Sequence, residues 1–228
     1  MQAFKDLYYL FFPTICQNCE EPLVQNEDLI CIKCRFDLPL AEMTDHSGND
    51  VENVFYGRVP IDFGTALLRY NRKGVVQKLI HQLKYKEQEE LGTLFGIWLG
   101  KELAKTKRLP KIDYVLPVPI HHHKLRKRGY NQVTKFGQQI ANEINAEFNE
   151  DQLRSISTEE TQTLKQRIDR WKNVKEKFYL NDTSFFENKN VLLVDDVITT
   201  GATLEACCIE LKKTKNITIS IATIAFTS

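Results

Sequence analysis

Apolar and polar residues along this chain follow two patterns, short continuous apolar runs and longer stretches with apolar residues at helical spacing. The first pattern is typical of strands buried in a parallel sheet, and the second is typical of amphipathic helices. The apolar runs predict strands at 64–70, 113–118, 191–194 and 217–226. The helical spacing predicts helices at 76–86, 91–103, 131–144 and from 204 onward. Strands that alternate with helices favour an α/β fold, a parallel sheet flanked by helices on both faces.

Residues 42–52 are polar and acidic, contain Gly48 and lack apolar periodicity. We interpret this stretch as a linker between two units of different size. The division predicts a small N-terminal module at residues 1–45 and a larger α/β domain at residues 46–228. A chain of 228 residues is long enough for one substantial core and such an appendage.

Four of the six cysteines fall within the N-terminal module, as two Cys-x2-Cys pairs. Two such pairs, brought together by a hairpin, can place four thiolates tetrahedrally around zinc. Pro22 and the polar residues 25–28 fit the hairpin turn. Two disulfides are the alternative, but a cytoplasmic chain keeps its thiols reduced, so we favour a closed structural zinc site. The predicted metal ligands are Cys16, Cys19, Cys31 and Cys34.

The strand predicted at 191–194 continues into the sequence DDVITTGAT. Asp195 and Asp196 come where we expect the strand to end, and a turn of small and hydroxyl residues then leads into the next helix. Free backbone N–H groups and the helix dipole make such a turn an anion site. Hydroxyl groups suit a phosphate monoester, and adjacent carboxylates suit the vicinal hydroxyls of a ribose. The segment therefore predicts a pocket for a ribose 5-phosphate.

Two other interpretations of the acidic pair are weaker. A P-loop ATPase needs a glycine-rich loop ending in Gly-Lys-Ser/Thr, and the nearest candidate, residues 96–101, has the wrong spacing. The two acids could also cap a helix or lie solvated in a loop, which leaves the rest of the pattern unexplained. On the helix that follows, we expect Cys207 and Cys208 to be buried as small apolar residues.

A second segment also falls at the end of a predicted strand. Pro117 and Pro119 stop sheet pairing there, because proline has no N–H to donate. Ligands of parallel sheets bind beyond the carboxyl ends of the strands. We therefore expect this exit to meet Asp195 and Asp196 at one pocket.

The stretch after this exit, residues 121–128, is predicted to be a basic loop with three consecutive histidines. Arg126 and Arg128 are its candidates for function, because guanidinium groups match phosphate oxygens. The lysines of the same stretch fit a solvated face. We expect Gly129 to permit a close backbone approach before the next helix.

Composition restricts the choice of partners. The net charge of +1 indicates neither a nucleic acid nor a membrane surface as a partner. No apolar run approaches the roughly 20 residues that span a bilayer, and residues 7–12 lack the basic leader of a signal peptide. We expect a cytoplasmic protein without membrane insertion. Residues 154–178 fit either a mobile lid or a solvated helix, and the pattern does not decide between them.

Taken together, these segments resemble the ComF (competence protein F) family over nearly the whole chain. Residues 191–203 by themselves resemble the phosphoribosyl-pyrophosphate (PRPP) motif of type I phosphoribosyltransferases. Besides the cysteine pairs and residues 191–203, the resemblance is carried by Leu10, Phe11, Phe12 and Pro13; Leu83, Lys84, Tyr85 and Lys86; Pro117, Val118 and Pro119; Arg126, Arg128, Gly129, Tyr130, Asn131 and Gln132; and Thr161, Gln162, Thr163, Arg170, Trp171, Asn173 and Val174. The resemblance implies a zinc ribbon on a type I phosphoribosyltransferase fold, and a role in handling incoming single-stranded DNA during natural transformation.

The resemblance also implies a chemistry, the displacement of pyrophosphate from PRPP by a nitrogen nucleophile. Asp195 and Asp196 would be the catalytic residues, holding the ribose hydroxyls and stabilising the positive ring. Cationic side chains would neutralise the pyrophosphate, with Mg²⁺ bridging it to the sugar. The implied PRPP-binding residues are Asp195, Asp196, Val197, Thr199, Thr200, Gly201, Ala202, Thr203, Lys84, Arg126 and Arg128.

Two hypotheses of function remain open. One is an enzyme that transfers phosphoribose to an acceptor that the sequence does not identify. The other is a protein that binds single-stranded DNA or proteins of the transformation machinery and keeps the PRPP pocket as a sensor or a relic. Fold analogy does not decide between them.

Overall fold

The computed structural model describes residues 12–72, 74–86, 88–156 and 178–227. The predicted lid or solvated helix therefore lies almost entirely outside the described residues. So do Leu10 and Phe11 of the family resemblance. The other resemblance and lid residues outside the described ranges are Thr161, Gln162, Thr163, Arg167, Arg170, Trp171, Asn173 and Val174.

Seven helices and seven strands occur within these ranges. The helices are α1 (Ile32–Phe36), α2 (Asp50–Phe55), α3 (Val75–Tyr85), α4 (Glu90–Leu103), α5 (His122–Arg128), α6 (Thr134–Ile144) and α7 (Ala202–Leu211). The strands are β1 (Phe63–Tyr70), β2 (Tyr114–Pro117), β3 (Glu147–Phe148), β4 (Leu153–Ser155), β5 (Phe178–Leu180), β6 (Asn190–Ile198) and β7 (Thr218–Thr227). All four predicted strands and all four predicted helices are present.

Five strands form one parallel sheet in the order β1-β7-β6-β2-β3, and β4 pairs with β5 in a separate antiparallel ribbon. The central strand, β6, pairs with β7 up to Ile198 but with β2 only up to Val194, which lies opposite Pro117. On one side β6 therefore extends four residues past its neighbour. This free edge at the carboxyl end of the sheet is where the acidic pair lies.

Side chains of β6 alternate between two cores, one on each face of the sheet. Leu192 and Val194 pack into a core with α3, α4 and α6, whereas Val191 and Leu193 pack into a core with α2 and α7. Burial on both faces is the reason why this strand is apolar at four consecutive positions. The arrangement confirms the predicted α/β class, a parallel sheet flanked by helices.

Helix α6 lies unusually close to α4, because α4 has glycines on the contacting face. A Cβ atom at Gly96 would lie 2.6 Å from the carbonyl oxygen of Phe136. This close contact fixes α6 against α4. The same stretch of α4 is a helix interior, in agreement with the rejection of a P-loop at residues 96–101.

Two details of the sequence interpretation were wrong. The basic stretch predicted as a loop forms α5, which has no buried residue and therefore no apolar periodicity to reveal it. The predicted linker contains the start of α2, with Asn49 accepting a hydrogen bond from the Glu52 N–H at 3.1 Å and Val51 fully buried. Gly129 ends α5 with φ of 85°, and a Cβ atom there would meet no described atom within 4 Å, so its expected role in a close backbone approach stays a prediction.

The division into residues 1–45 and 46–228 stays a prediction. In the described part of the chain, the N-terminal segment shares a core with the larger domain. Cys16, Ile30, Cys34 and Leu38 belong to the same apolar cluster as α3 and α4.

Candidate functional site

The four N-terminal cysteines form one cluster. Their Sγ atoms all lie within 4.8 Å of one another, and the Sγ atoms of Cys19 and Cys31 are 3.7 Å apart. Tetrahedral coordination with Zn–S bonds near 2.3 Å places sulfurs about 3.8 Å apart. All four cysteines are free thiols, which excludes the disulfide alternative in this structure. The cluster could hold a metal ion.

The environment of the sulfurs fits a cation. Burial alone would raise the pKa of Cys16, but the backbone N–H groups of Cys31, Cys19 and Asn18 lower that pKa to about 6. For Cys34, burial and the neighbouring sulfurs raise the pKa to about 12. Four cysteine sulfurs this close together are a donor set typical of structural zinc.

The second candidate site is a cleft of about 490 Å³ at the carboxyl edge of the sheet. Its walls come from the end of α3, the exit of β2, α5, the segment before α6, the end of β6 and the first turn of α7. Val118 and Pro119 line it together with Asp195 and Asp196, as predicted for the two strand exits.

Asp195 and Asp196 lie in the part of β6 that extends beyond β2, not after the strand as the sequence suggested. Asp196 is on the same face of β6 as Val194, above α3 and α6. Its carboxylate therefore meets Lys84 Nζ at 2.9 Å and accepts a hydrogen bond from Gln132 Nε2 at 2.7 Å. Asp195 accepts the Asp196 N–H at 2.8 Å. Both acids are largely buried, so their orientations are set by these partners.

The cations of the cleft come from two separate helices. Lys84 lies in the last turn of α3, and its side chain is 24% exposed. Arg128 ends α5, donates to Gln132 and lies over the ring of Tyr85, with 5.3 Å between its guanidinium carbon and the ring centroid. Gln132 thus joins Arg128 to Asp196. Lys124 and Lys127 of α5, which the sequence placed on a solvated face, also line the cleft, so four cationic side chains lie around the acidic pair.

The turn after β6 leads into α7 through Gly201, which adopts φ of 73°. A Cβ atom there would lie 2.6 Å from Val54 Cγ1, so both the backbone conformation and the space require glycine. The Ala202 N–H donates only a long bond, 3.4 Å, to the Thr200 hydroxyl. The N-cap residue, Gly201, has no side chain that could cap the helix, and an N-terminus of this kind suits an anion.

The structure brings most of the sequence-predicted residues to this cleft. Lys84, Arg128, Val197 and Thr203 line it with the acidic pair. Thr199, Thr200 and Gly201 lie in the adjoining turn and Ala202 begins α7; these four residues are not part of the cleft lining. Arg126 is exposed on α5 and does not line it either. The roles of all these residues stay predictions.

Several cleft residues were not among the predicted binding residues. Tyr85, Tyr130 and Gln132 were noted only as parts of family-like motifs, and His121 only as part of a histidine run. Tyr130 donates its hydroxyl to the Leu83 carbonyl, which ties the segment before α6 to α3. Tyr85 follows Lys84 directly, and Tyr130 and Gln132 come soon after Arg128 in the sequence. This proximity to predicted binding residues was the signal that could have identified them.

Comparisons with known proteins agree with this geometry. A family model for the phosphoribosyl transferase domain matches residues 132–227. Competence protein F of Haemophilus influenzae is 25% identical over 223 residues, which cover 89% of this chain and 93% of that protein. The DNA utilization protein YhgH of Salmonella typhi is 28% identical over 130 residues, 55% of this chain and 56% of that protein. The chain therefore spans about half the length of that second relative.

Among solved structures, the purine phosphoribosyltransferase of Pyrococcus horikoshii is 16% identical, with a TM-score of 0.36 over 60% of this chain and 83% of that one. This likeness is too weak to argue from, so the fold assignment depends on the family model and the sheet. Together these define the class, a protein with the phosphoribosyltransferase fold. Within that class, the chain is similar to competence protein F over most of its length, in agreement with the resemblance of its motifs to the ComF family.

Within the ranges that the structure describes, none of the helices has the length and apolar character needed to cross a membrane.

Proposed function

We propose that this protein binds PRPP, or another ribose 5-phosphate nucleotide, in the cleft at the carboxyl edge of the sheet. One observation carries the proposal. A largely buried acidic pair shares one cleft with cationic side chains of α3 and α5 and with the first turn of α7. PRPP has the matching groups, a pyrophosphate, two vicinal hydroxyls and a 5-phosphate.

In this proposal each part of the cleft binds one part of the ligand. The turn at 199–203 binds the 5-phosphate through its backbone N–H groups and the hydroxyls of Thr199, Thr200 and Thr203. Asp195 and Asp196 accept hydrogen bonds from the ribose hydroxyls. Their negative charge also stabilises positive charge that develops on the ring in the transition state.

Lys84, Arg128 and the exposed Arg126 are proposed to bind the pyrophosphate. Lys84 exchanges its contact with Asp196 for the ligand, which frees the carboxylate for the ribose. Mg²⁺ bound to the pyrophosphate would supply further charge neutralisation at the leaving group. The carboxylates at the cleft suit such a cation, because hard divalent ions prefer oxygen ligands.

The proposed reaction is phosphoribosyl transfer. The bond between the anomeric carbon and the pyrophosphate oxygen breaks with its electron pair going to the pyrophosphate. A nitrogen lone pair of the acceptor forms the new bond, and that nitrogen then loses its proton. Because competence protein F is among the relatives, we propose a role in natural competence. The four-cysteine cluster leads us to propose zinc as its metal.

A second candidate function is binding without turnover, of single-stranded DNA or of a protein partner. The observation that favours it is α5, whose last turn carries three basic residues and which buries none of its side chains. Such a helix at the mouth of the cleft provides a local basic patch despite the near-neutral chain. A cytoplasmic location stays a prediction under either function.

The test is calorimetry of the full chain with PRPP and Mg²⁺, followed by an assay of pyrophosphate release with candidate nitrogen acceptors. Binding together with acceptor-dependent release supports the transferase. Binding without release for any acceptor favours the sensor. No heat with PRPP, ribose 5-phosphate or nucleoside monophosphates at millimolar concentration contradicts the site, and a short single-stranded oligonucleotide then tests the second candidate.

A further inference from the structure

Arg58 contacts the back of the turn that leads into α7, although it is distant from that turn in sequence. Its guanidinium donates to the Thr200 carbonyl at 2.7 Å and to the Val54 carbonyl at 3.1 Å. It also forms an ion pair with Glu205 in the first turn of α7. One side chain therefore joins the end of α2, the turn and α7. Arg58 does not line the cleft.

The contact with Thr200 determines how the next peptide group is oriented. The peptide bond between Thr200 and Gly201 is trans, since the described residues contain no cis peptide bonds. In a trans peptide the N–H points opposite to the C=O. Because the Thr200 carbonyl points toward the Arg58 guanidinium, the Gly201 N–H points away from that guanidinium.

Packing shows that this contact is more than a surface ion pair. Gly201 lies against α2, with its hypothetical Cβ 2.6 Å from Val54 Cγ1 and 3.2 Å from Phe55 Cε1. The turn therefore has a fixed support behind it, and Arg58 is the polar part of that support. Two of the three groups that Arg58 contacts are backbone carbonyls. An arginine that only paired with Glu205 would not need these two hydrogen bonds.

The negative charge of Glu205 acts against phosphate binding at the turn. A carboxylate in the first turn of α7 stabilises the helix dipole but repels an incoming phosphate. Pairing with Arg58 neutralises it. Arg58 thus has two separable effects on the turn, on its peptide orientation and on its charge.

We propose that Arg58 is a positioning residue for phosphate binding, and that it acts mainly by orienting the Thr200–Gly201 peptide so that the Gly201 N–H is available to the 5-phosphate. This inference rests on the proposed function of the cleft. Its effect is confined to the 5-phosphate end of the ligand, because Arg58 does not line the cleft with Lys84 and Arg128.

The test compares ligands that share different parts of PRPP, using calorimetry with Mg²⁺. For Arg58→Gln we expect affinity for PRPP and for ribose 5-phosphate to fall about tenfold, the usual effect of losing one hydrogen bond to a charged group. Affinity for inorganic pyrophosphate should remain at the wild-type value. A general loss of structure would weaken all three ligands together, so the ratio separates positioning from instability.

Two further variants separate orientation from charge. Glu205→Gln removes the carboxylate, and the double variant Arg58→Gln with Glu205→Gln removes both charges. We expect the double variant to stay weak toward ribose 5-phosphate, because the peptide is still unsupported. If the double variant recovered the wild-type affinity for ribose 5-phosphate, the only effect of Arg58 would be to neutralise Glu205, and this result would overturn the proposal. Arg69→Gln is the matched control, an arginine of similar exposure paired with Asp50, and should leave all affinities unchanged.

Failure of this inference differs from failure of the proposed function. A wild-type chain that binds neither PRPP nor ribose 5-phosphate refutes the site itself. A wild-type chain that binds both, with Arg58→Gln binding them equally well, refutes only the role of Arg58. If Arg58→Gln does not fold, Arg58→Lys keeps the charge and must show the same selective loss to a smaller extent; equal affinity in that variant also overturns the proposal.

Discussion

Asp196→Asn is the substitution that best separates the binding role of the acidic pair from its structural role. The change keeps the shape of the side chain and removes its charge. The Asn carbonyl oxygen can still accept the hydrogen bond of Gln132, which now measures 2.7 Å. Lys84 loses its partner at 2.9 Å, but its side chain is 24% exposed and can turn to solvent.

The expected effect on stability is therefore small. Removing one member of a fully buried ion pair costs about 3–5 kcal/mol, because the other charge stays buried. Here the charge left behind belongs to a partly exposed lysine at an open cleft, so we expect about 1 kcal/mol or less in the free energy of unfolding. The effect on PRPP is larger, about 1.5–3 kcal/mol, if the carboxylate accepts a ribose hydroxyl.

Chemical denaturation measures the first quantity, and calorimetry with PRPP and Mg²⁺ measures the second. Glu90→Gln is a matched control, since Glu90 of α4 also forms an ion pair with a lysine, Lys135 of α6, and neither residue lines the cleft. It should change neither quantity by more than about 0.5 kcal/mol. Wild-type affinity for PRPP in Asp196→Asn would refute the assignment of this carboxylate to the ligand. A loss of stability well above 3 kcal/mol would instead show that Asp196 is mainly structural.

Three further predictions follow from particular residues. Cys31→Ser should lower bound zinc from about one atom per chain to a weakly held fraction, measured by metal analysis after gel filtration, because a closed site needs four ligands; a metal-free wild type with two disulfides would contradict the site. Gly201→Ala should destabilise the fold by at least about 1 kcal/mol in denaturant, through positive φ and the clash with Val54; unchanged stability would show that the turn relaxes freely. Burial raises the pKa of Cys208 from 9.0 to about 12, so the folded state disfavours the thiolate. Its contribution to the free energy of unfolding should be fully present below pH 9 and fall as the pH rises toward 12, relative to Cys208→Ala; parallel pH profiles of the two proteins would refute this.

Much of the fold could be predicted because its strands are buried on both faces. A parallel strand such as β6 needs apolar residues at consecutive positions, and this leaves an unmistakable run in the sequence. The burial of Cys207 and Cys208 followed from the same reasoning on α7 and is confirmed. Helix α5 was not predicted, because a helix without buried residues has no apolar stripe in its sequence. Helix α2 was not predicted, because it has only six residues and begins inside a polar stretch.

The sequence by itself determined the chemistry that is local along the chain. The spacing of the cysteines, the acidic pair after an apolar run and the hydroxyl-rich turn before α7 each depend on neighbouring residues, so their pattern could be recognised without a structure. Only the tertiary structure decided which distant groups meet them. It brought Lys84 to Asp196, placed Arg128 rather than Arg126 at the cleft, and set Arg58 behind Thr200. Those pairings result from the order of strands in the sheet and the packing of helices on its two faces, which no local pattern encodes.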